Sequence, residues 1–194
     1  MPPEHTPELW LLVGGNGSGK TSFYERFLAP TGLPLINADR IARQLWPDEP
    51  EQHSYEAAIL AEKERFRLLE EGQTFCFETV YSHPSKLDFV GKAKAAGFVI
   101  KMFYFHLAQS ELNLARVASR VRAGGHKVPP DKIVGRLPRT FQWVGASVGL
   151  VDELHLVDNS SAEHPYQRLA YWRGGRWCLL TNTPPEWLTQ LTRV

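Results

Sequence analysis

With 194 residues, 43% of them hydrophobic, the chain is long enough to bury one substantial α/β core. A formal charge of +1 excludes a general attraction for nucleic acid or an anionic membrane surface. The two cysteines, Cys76 and Cys178, lie among apolar neighbours, which excludes a disulfide framework and points to buried thiols.

The first strand is expected over 9–13, and directly behind it residues 14–21 read GGNGSGKT. This is a complete phosphate-binding loop, followed by the helix-compatible run 22–28. Its glycines let backbone N–H groups turn inward around a phosphate, and the helix adds its positive end. Lys20 would reach the β- and γ-phosphates of a nucleoside triphosphate, and the Thr21 hydroxyl would sit on Mg²⁺.

A short second strand follows over 33–37, with Asp39 just past its end. Helices are expected over 40–46 and 51–71, the second burying Tyr55, Ala58, Ile59, Glu62, Phe66 and Leu69 at helical spacing. Residues 74–77 form the third strand and deliver Glu78 and Thr79 at its carboxyl end. A helix capped by Ser85 runs to Ala96 with Leu87, Val90 and either Ala93 or the stem of Lys94 inward, and Gly97 stops it.

Residues 98–105 read as a strong fourth strand, and Leu112, Ala115, Val117, Ala118 and Val121 mark the next helix. The run 124–130 breaks that helix, and helical character resumes over 131–148, where Pro138 predicts a kink or a break. The fifth strand is 154–157, ending in Asp158, Asn159 and Ser160. Residues 169–172 and 177–180, joined through Gly174 and Gly175, read as a hairpin packed on the domain by Trp172, Trp177 and Trp187. No internal repeat or linker interrupts this pattern, so one domain is expected over 1–194, with a lid at about 120–139 and a hairpin at about 167–181. No apolar run approaches bilayer length, and residues 1–5 lack the regions of a secretory signal. The expectation is a cytoplasmic protein with neither membrane nor nucleic-acid partners.

Charge is uneven along the chain. Residues 48–71 carry eight acidic and three basic side chains, whereas 116–139 carry seven basic and one acidic. In a parallel α/β sheet, ligands bind off the carboxyl ends of the strands. Four such ends are polar here: the loop, Asp39, the pair Glu78 and Thr79, and the pair Asp158 and Asn159. Asp39 is either the base that deprotonates an acceptor hydroxyl or the N-cap of the helix behind it. Glu78 either holds Mg²⁺ or the acceptor, or merely opens a polar loop, and Thr79 would hydrogen-bond the acceptor. Arg120 and Arg136 are the choices for phosphate contact from the lid, with Arg122 and Arg139 in reserve; solvated surface arginines are the alternative. His126 either touches phosphate or fixes its turn. Asn159 would border the nucleotide base, or Asp158, Asn159 and Ser160 are plain turn formers.

The segments GGNGSGKTS (14–22), NAD (37–39), FET (77–79), RVRAGGHKVP (120–129), Arg136 and DNS (158–160) together resemble the zeta-toxin-like P-loop kinases over about residues 8–160. The resemblance implies a kinase-type α/β/α fold with a five-stranded parallel sheet of order 2-3-1-4-5. It also implies transfer of the γ-phosphate of ATP, with Mg²⁺, to a hydroxyl of a small metabolite. In well-studied members that metabolite is UDP-N-acetylglucosamine. By the same resemblance Asp39 is the base, Lys20 the phosphate lysine, and Arg120 and Arg136 the γ-phosphate arginines. Glu78, Thr79 and His126 would lie on the acceptor side. Gly15, Asn16, Gly17, Ser18, Gly19, Lys20, Thr21, Ser22 and Asn159 would hold the nucleotide, Thr21 and Glu78 the metal, and an antitoxin protein would be a partner. The chain departs from the larger toxins in lid length, in the Gly-Gly-His insert and in its terminal hairpin.

Two other classes remain. One is a nucleotide-dependent switch or slow ATPase, although no Asn-Lys-x-Asp guanine motif and no tandem Asp-Glu behind an apolar strand is present. The other is a catalytically poor relative that only binds nucleotide or an antitoxin, which the presence of both Lys20 and Asp39 disfavours.

Overall fold

The structure, a computed structural model, describes residues 6–125 and 127–193. Its centre is β1 (Glu8–Gly14), whose alternate residues face two separate apolar layers. Leu9, Leu11 and Val13 pack into the larger layer and Leu12 into the smaller, with Trp10 against it. A strand buried on both faces reads as a continuous apolar run, the pattern of a parallel sheet covered on both sides.

Seven strands form one sheet in the order β2-β3-β1-β4-β5-β6-β7. The parallel part consists of β2 (Leu35–Ile36), β3 (Phe75–Thr79), β1, β4 (Val99–His106) and β5 (Glu153–Asp158), in the expected order. The register aligns their carboxyl ends: Val13 lies beside Thr79, Gly14 beside Phe105, and His106 beside Asp158. Four polar strand exits therefore open on one edge of the sheet.

The helices are α1 (Lys20–Phe23), which continues as a π-helical turn Tyr24–Leu28, then α2 (Ala38–Leu45), α3 (Ser54–Glu70) and α4 (Ser85–Ala95). They are followed by α5 (Ser110–Arg122), α6 (Pro130–Ser147) and α7 (Glu186–Thr192). Tyr24 and Leu28 cover the smaller layer. Residues of α3, α4, α6 and α7 cover the larger one.

Several local expectations need correction. The second strand shrinks to two residues, and Pro34, which lacks an N–H, contributes only its carbonyl to Cys76 N. Helix α3 buries Ala57, Ala61, Arg65, Leu68 and Leu69, while Tyr55 stays 75% exposed and Ile59 is also exposed. Two stripes of α3 share helical spacing, and the one with small alanines lies inward, where α3 meets α2 and β2. On α5, Asn113 and Val117 are buried whereas Ala115 and Ala118 are exposed. Ser85 is the first residue of α4 rather than its cap, and its hydroxyl bonds the His83 ring. Helix α6 continues through Pro138 without the expected break, with Pro138 and Val134 on its exposed face. Cys76 is buried, but Cys178 is only half-buried.

The hairpin is present as β6 (Gln167–Arg173) and β7 (Arg176–Leu179); it extends the sheet, and Trp172, Trp177 and Trp187 pack against the larger core layer. Gly174 (φ 58°) and Gly175 (φ 77°) supply the left-handed pair that a two-residue turn of this twist requires, with Trp172 opposite Trp177. Helix α7 had no periodic signal long enough to read. It nevertheless seats Leu188 and Leu191 in the core and stacks Trp187 on His106 at 4.2 Å.

That stacking carries a pH dependence. Burial pushes His106 down to about 4 from an ordinary 6.5, with Asp158 opposing. The folded pKa lies below the unfolded one, so the unfolded chain takes the proton first as pH falls. Stability is then whole above about pH 6.5 and declines between about pH 6.5 and 4, by on the order of 2–3 kcal/mol. Urea unfolding across that window should show this slope in the native chain and a flatter one in His106→Gln. Equal slopes would show that His106 is not the group responsible.

Candidate active site

The site begins with the loop that β1 delivers into α1. Gly17 (φ 79°) and Gly19 (φ 96°) both sit in the left-handed region that favours glycine. A Cβ on Gly17 would stand 2.8 Å from the Asn113 carbonyl oxygen, and one on Gly19 would strike the Asn159 amide. The loop is thus clamped between α5 and the exit of β5. Asn113 Nδ2 donates to Asn16 O at 2.7 Å, and Asn159 Nδ2 donates to Ser18 O at 2.9 Å. Asn159 Oδ1 accepts from Tyr166 N, so both ends of this amide hold backbone at the lip of the cleft.

Lys20 is only 6% exposed, and its Nζ donates to the carbonyls of Gly14 and Gly15, each at 2.9 Å. Burial lowers its pKa, while the carboxylates of Glu78 and Asp39 push it back up and Arg120 pushes it down. Charges from the exit of β3, the first turn of α2 and the end of α5 therefore all act on one ammonium.

Beside the loop the Glu78 carboxylate is held by a chain of hydrogen bonds. The Thr21 hydroxyl donates to the Glu78 carboxylate, 2.9 Å from Oε1 and 3.0 Å from Oε2. Asn37 Nδ2 donates to Glu78 Oε2 at 2.7 Å, and Asn37 Oδ1 accepts from Arg40 N at 3.1 Å. The N-cap of α2 is thus Asn37 and not Asp39. The Asp39 carboxylate is released from capping and lines the cleft. Thr79 also lines it, and its Oγ1 accepts from Tyr81 N, holding Tyr81 at φ 62°. The exit of β3 is pinned to α6 as well: Thr140 Oγ1 donates to Val80 O at 2.8 Å, and Tyr81 Oη bonds Ser147 Oγ at 2.9 Å.

Arg116, Arg120 and Arg136 reach the cleft, whereas Arg122 and Arg139 point to solvent. Arg116 Nη2 donates to Asn159 O, which ties α5 to the same strand exit. The cleft has a volume of about 1180 Å³, at the upper end of the range for small-molecule sites. It gathers Asn16, Gly17, Gly19, Lys20, Thr21 and Ser22 with Asp39, Glu78 and Thr79. Gly15 and Ser18 lie in the loop itself, behind that lining. His126 lies outside the described residues.

The donor set at Thr21 and Glu78, a hydroxyl beside a carboxylate, is made of hard oxygens. It suits Mg²⁺, which takes one or two protein ligands and completes its shell with waters and phosphates. Asn113 and Asn37 are the residues that sequence reasoning passed over. The available signal was a polar side chain on the buried stripe of an apolar helix for Asn113, and an Asx residue immediately before a helix for Asn37.

Residues 9–142 match the model of the family described as AAA domain. An uncharacterised Haemophilus influenzae protein is 30% identical over 131 residues, which cover 64% of this chain and 93% of that protein. Among solved structures, the AvrRxo1-ORF1:-ORF2 complex with ATP superposes with a TM-score of 0.71 at 16% identity, covering 91% of this chain and 61% of its own. This chain therefore spans about three fifths of that one. The PezAT toxin–antitoxin system of Streptococcus pneumoniae gives a TM-score of 0.61 at 15% identity, over 80% of this chain and 68% of its own. These likenesses show an α/β fold of the P-loop NTPase type. They are coarser than the zeta-toxin-like resemblance. Among the described residues, no helix is long and apolar enough to cross a membrane.

The clamped loop makes Gly17→Ala a direct probe. Left-handed strain and collision with the Asn113 carbonyl should cost about 1–3 kcal/mol in urea unfolding. Unchanged stability would mean that the loop yields freely and is not clamped by α5.

Proposed function

The chain belongs to the AAA domain family, whose model covers most of it, and on that premise we propose that it is an ATP-dependent phosphotransferase. It moves the γ-phosphate of ATP to a hydroxyl of a small metabolite. The observation that carries this reading is the chain of hydrogen bonds from Thr21 through Glu78 to Asn37. It joins the first turn of α2, where Asp39 sits, to the phosphate loop within one cleft. A simple nucleotide-binding loop has no need of a second carboxylate-lined half.

In this reading the loop N–H groups and Lys20 hold the β- and γ-phosphates. Lys20 is held by two carbonyls, and incoming phosphate oxygens offer its ammonium a better set of partners. Mg²⁺ bound at Thr21 and Glu78 would neutralise charge on the phosphates. Asp39, free of the capping role, accepts the proton of the acceptor hydroxyl. Thr79 orients that acceptor from the exit of β3. Arg120 and Arg136 stabilise charge on the moving phosphoryl group, with His126 between them in sequence.

The segment at about 120–139 acts as the lid of a single domain spanning 1–194. The bonds from Thr140 and Tyr81 anchor α6 just behind Arg136, so movement belongs to its earlier part. The resemblance to zeta-toxin-like kinases supports a nucleotide sugar such as UDP-N-acetylglucosamine as the first acceptor to try. It also supports an antitoxin protein as a partner, since the PezAT structure is that of a toxin–antitoxin system. ATP as the donor is supported by the AvrRxo1 complex, which was crystallised with it.

Labelled ATP offered with a panel of nucleotide sugars and other hydroxyl metabolites should yield one phosphorylated product identifiable by mass spectrometry. Asp39→Asn should keep ATP affinity within about threefold and lower the transfer rate by about 10²-fold or more. Normal transfer by this variant would remove Asp39 as the base.

A further inference from the structure

Behind Phe77, one residue before Glu78, two cations share a single aromatic ring. The Arg65 guanidinium lies 4.1 Å from the Phe77 centroid and also faces Phe89, at 5.4 Å. The Lys86 ammonium lies 5.9 Å from the same Phe77 centroid. Both side chains line the cleft on its acceptor side. Arg65 is 3% exposed, and its Nε has no hydrogen-bond partner. Among the described residues, no carboxylate stands within ion-pair distance of either group. Glu62, one turn before Arg65, acts on both only from further away.

Such an arrangement is costly for a fold that does not use it. Burying a charge without a partner is strongly unfavourable, and a second cation beside it adds repulsion. Both effects are visible here: burial pushes Arg65 down to about 10, and burial followed by Arg65 itself lowers Lys86. Arg65 nonetheless stays charged at neutral pH. Attraction to the Phe77 and Phe89 faces offsets part of the cost for Arg65, but the more distant Lys86 gains little from it. An aliphatic residue at position 65 would pack against these rings without penalty. The cations make sense when a ligand supplies the missing negative charge.

We propose that Arg65 and Lys86 form an anion subsite that holds a phosphate group of the acceptor, so the substrate is a metabolite already bearing phosphate beside its reactive hydroxyl. The inference rests on the phosphotransferase reading for the word acceptor, and it assigns to Arg65 and Lys86 the part of the cleft that would hold the acceptor's phosphate. A planar guanidinium and an ammonium together match the two charges of a phosphate better than the single charge of a carboxylate. The subsite opens into the cleft that also holds Asp39, Glu78 and Thr79, where an acceptor hydroxyl would meet its base.

The test separates this site from the loop. Protein saturated with a non-hydrolysable ATP analogue and Mg²⁺, which fills the loop, is titrated with inorganic phosphate by calorimetry. The native chain should bind one phosphate, and Lys86→Gln should weaken it at least tenfold. Arg65→Met should do the same, and if that core variant fails to fold, Lys86→Gln decides alone. Equal phosphate affinity in the native chain and Lys86→Gln would overturn the proposal. Acetate binding as tightly as phosphate would overturn its assignment to phosphate. If the analogue fails to bind, the reading of the loop falls by itself, and the same titration in a Lys20→Met background decides the anion subsite without it.

Discussion

Placing the Lys20 ammonium inside the protein is the constraint around which the rest is organised. Moved out of water, it is held by two loop carbonyls and by the more distant fields of Glu78 and Asp39. Such a group is costly unless its surroundings are fixed. The surroundings are fixed here from three directions: Asn113 and Asn159 grip the loop backbone, and the Glu78 carboxylate is held by Thr21 and Asn37. A cation left with carbonyls as its nearest partners favours whatever brings more negative charge, and a triphosphate brings several. Preorganisation of this kind costs stability in the free protein and returns it as affinity when the ligand arrives.

The same constraint explains why Asn37 matters more than its place in the sequence suggests. One amide caps α2 through its oxygen and braces Glu78 through its nitrogen. The helix start that presents Asp39 is thereby joined to the residue that touches Thr21. The phosphate loop and the start of α2 are parts of one hydrogen-bonded unit, so a disturbance in either is felt in the other. The exit of β3 is tied in turn to α6 by Thr140 and Tyr81, which places Arg136 on a helix with a fixed base.

Much of this was legible in the chain. The phosphate loop is a contiguous pattern in which each residue type has a local reason. The five parallel strands announce themselves as apolar runs ending in polar residues, and the strand-exit rule brings those ends together. What was not legible depends on tertiary choices. Two stripes of α3 have helical period, and only packing against α2 and β2 selects the one that contains Ala57, Ala61 and Arg65. A buried arginine on that stripe looks, in sequence, like any solvated charge. Helix α7 is too short to show a period, and its burial depends on the space left beside His106 and α6. Asp39 and Asn37 both suit an N-cap, and the choice between them follows from where the chain leaves β2.

The electrostatic core of the account can be read directly from Lys20 itself. Nitrogen-15 NMR of the labelled side chain, followed against pH, gives its titration in the free protein and in the protein saturated with a non-hydrolysable ATP analogue. The account predicts a pKa below the ordinary 10.5 in the free protein, as its burial requires, and a rise when the phosphates arrive. A Lys20 that titrates at the ordinary value in both states would contradict it, because the ammonium would then be neither buried nor in contact with the bound phosphates.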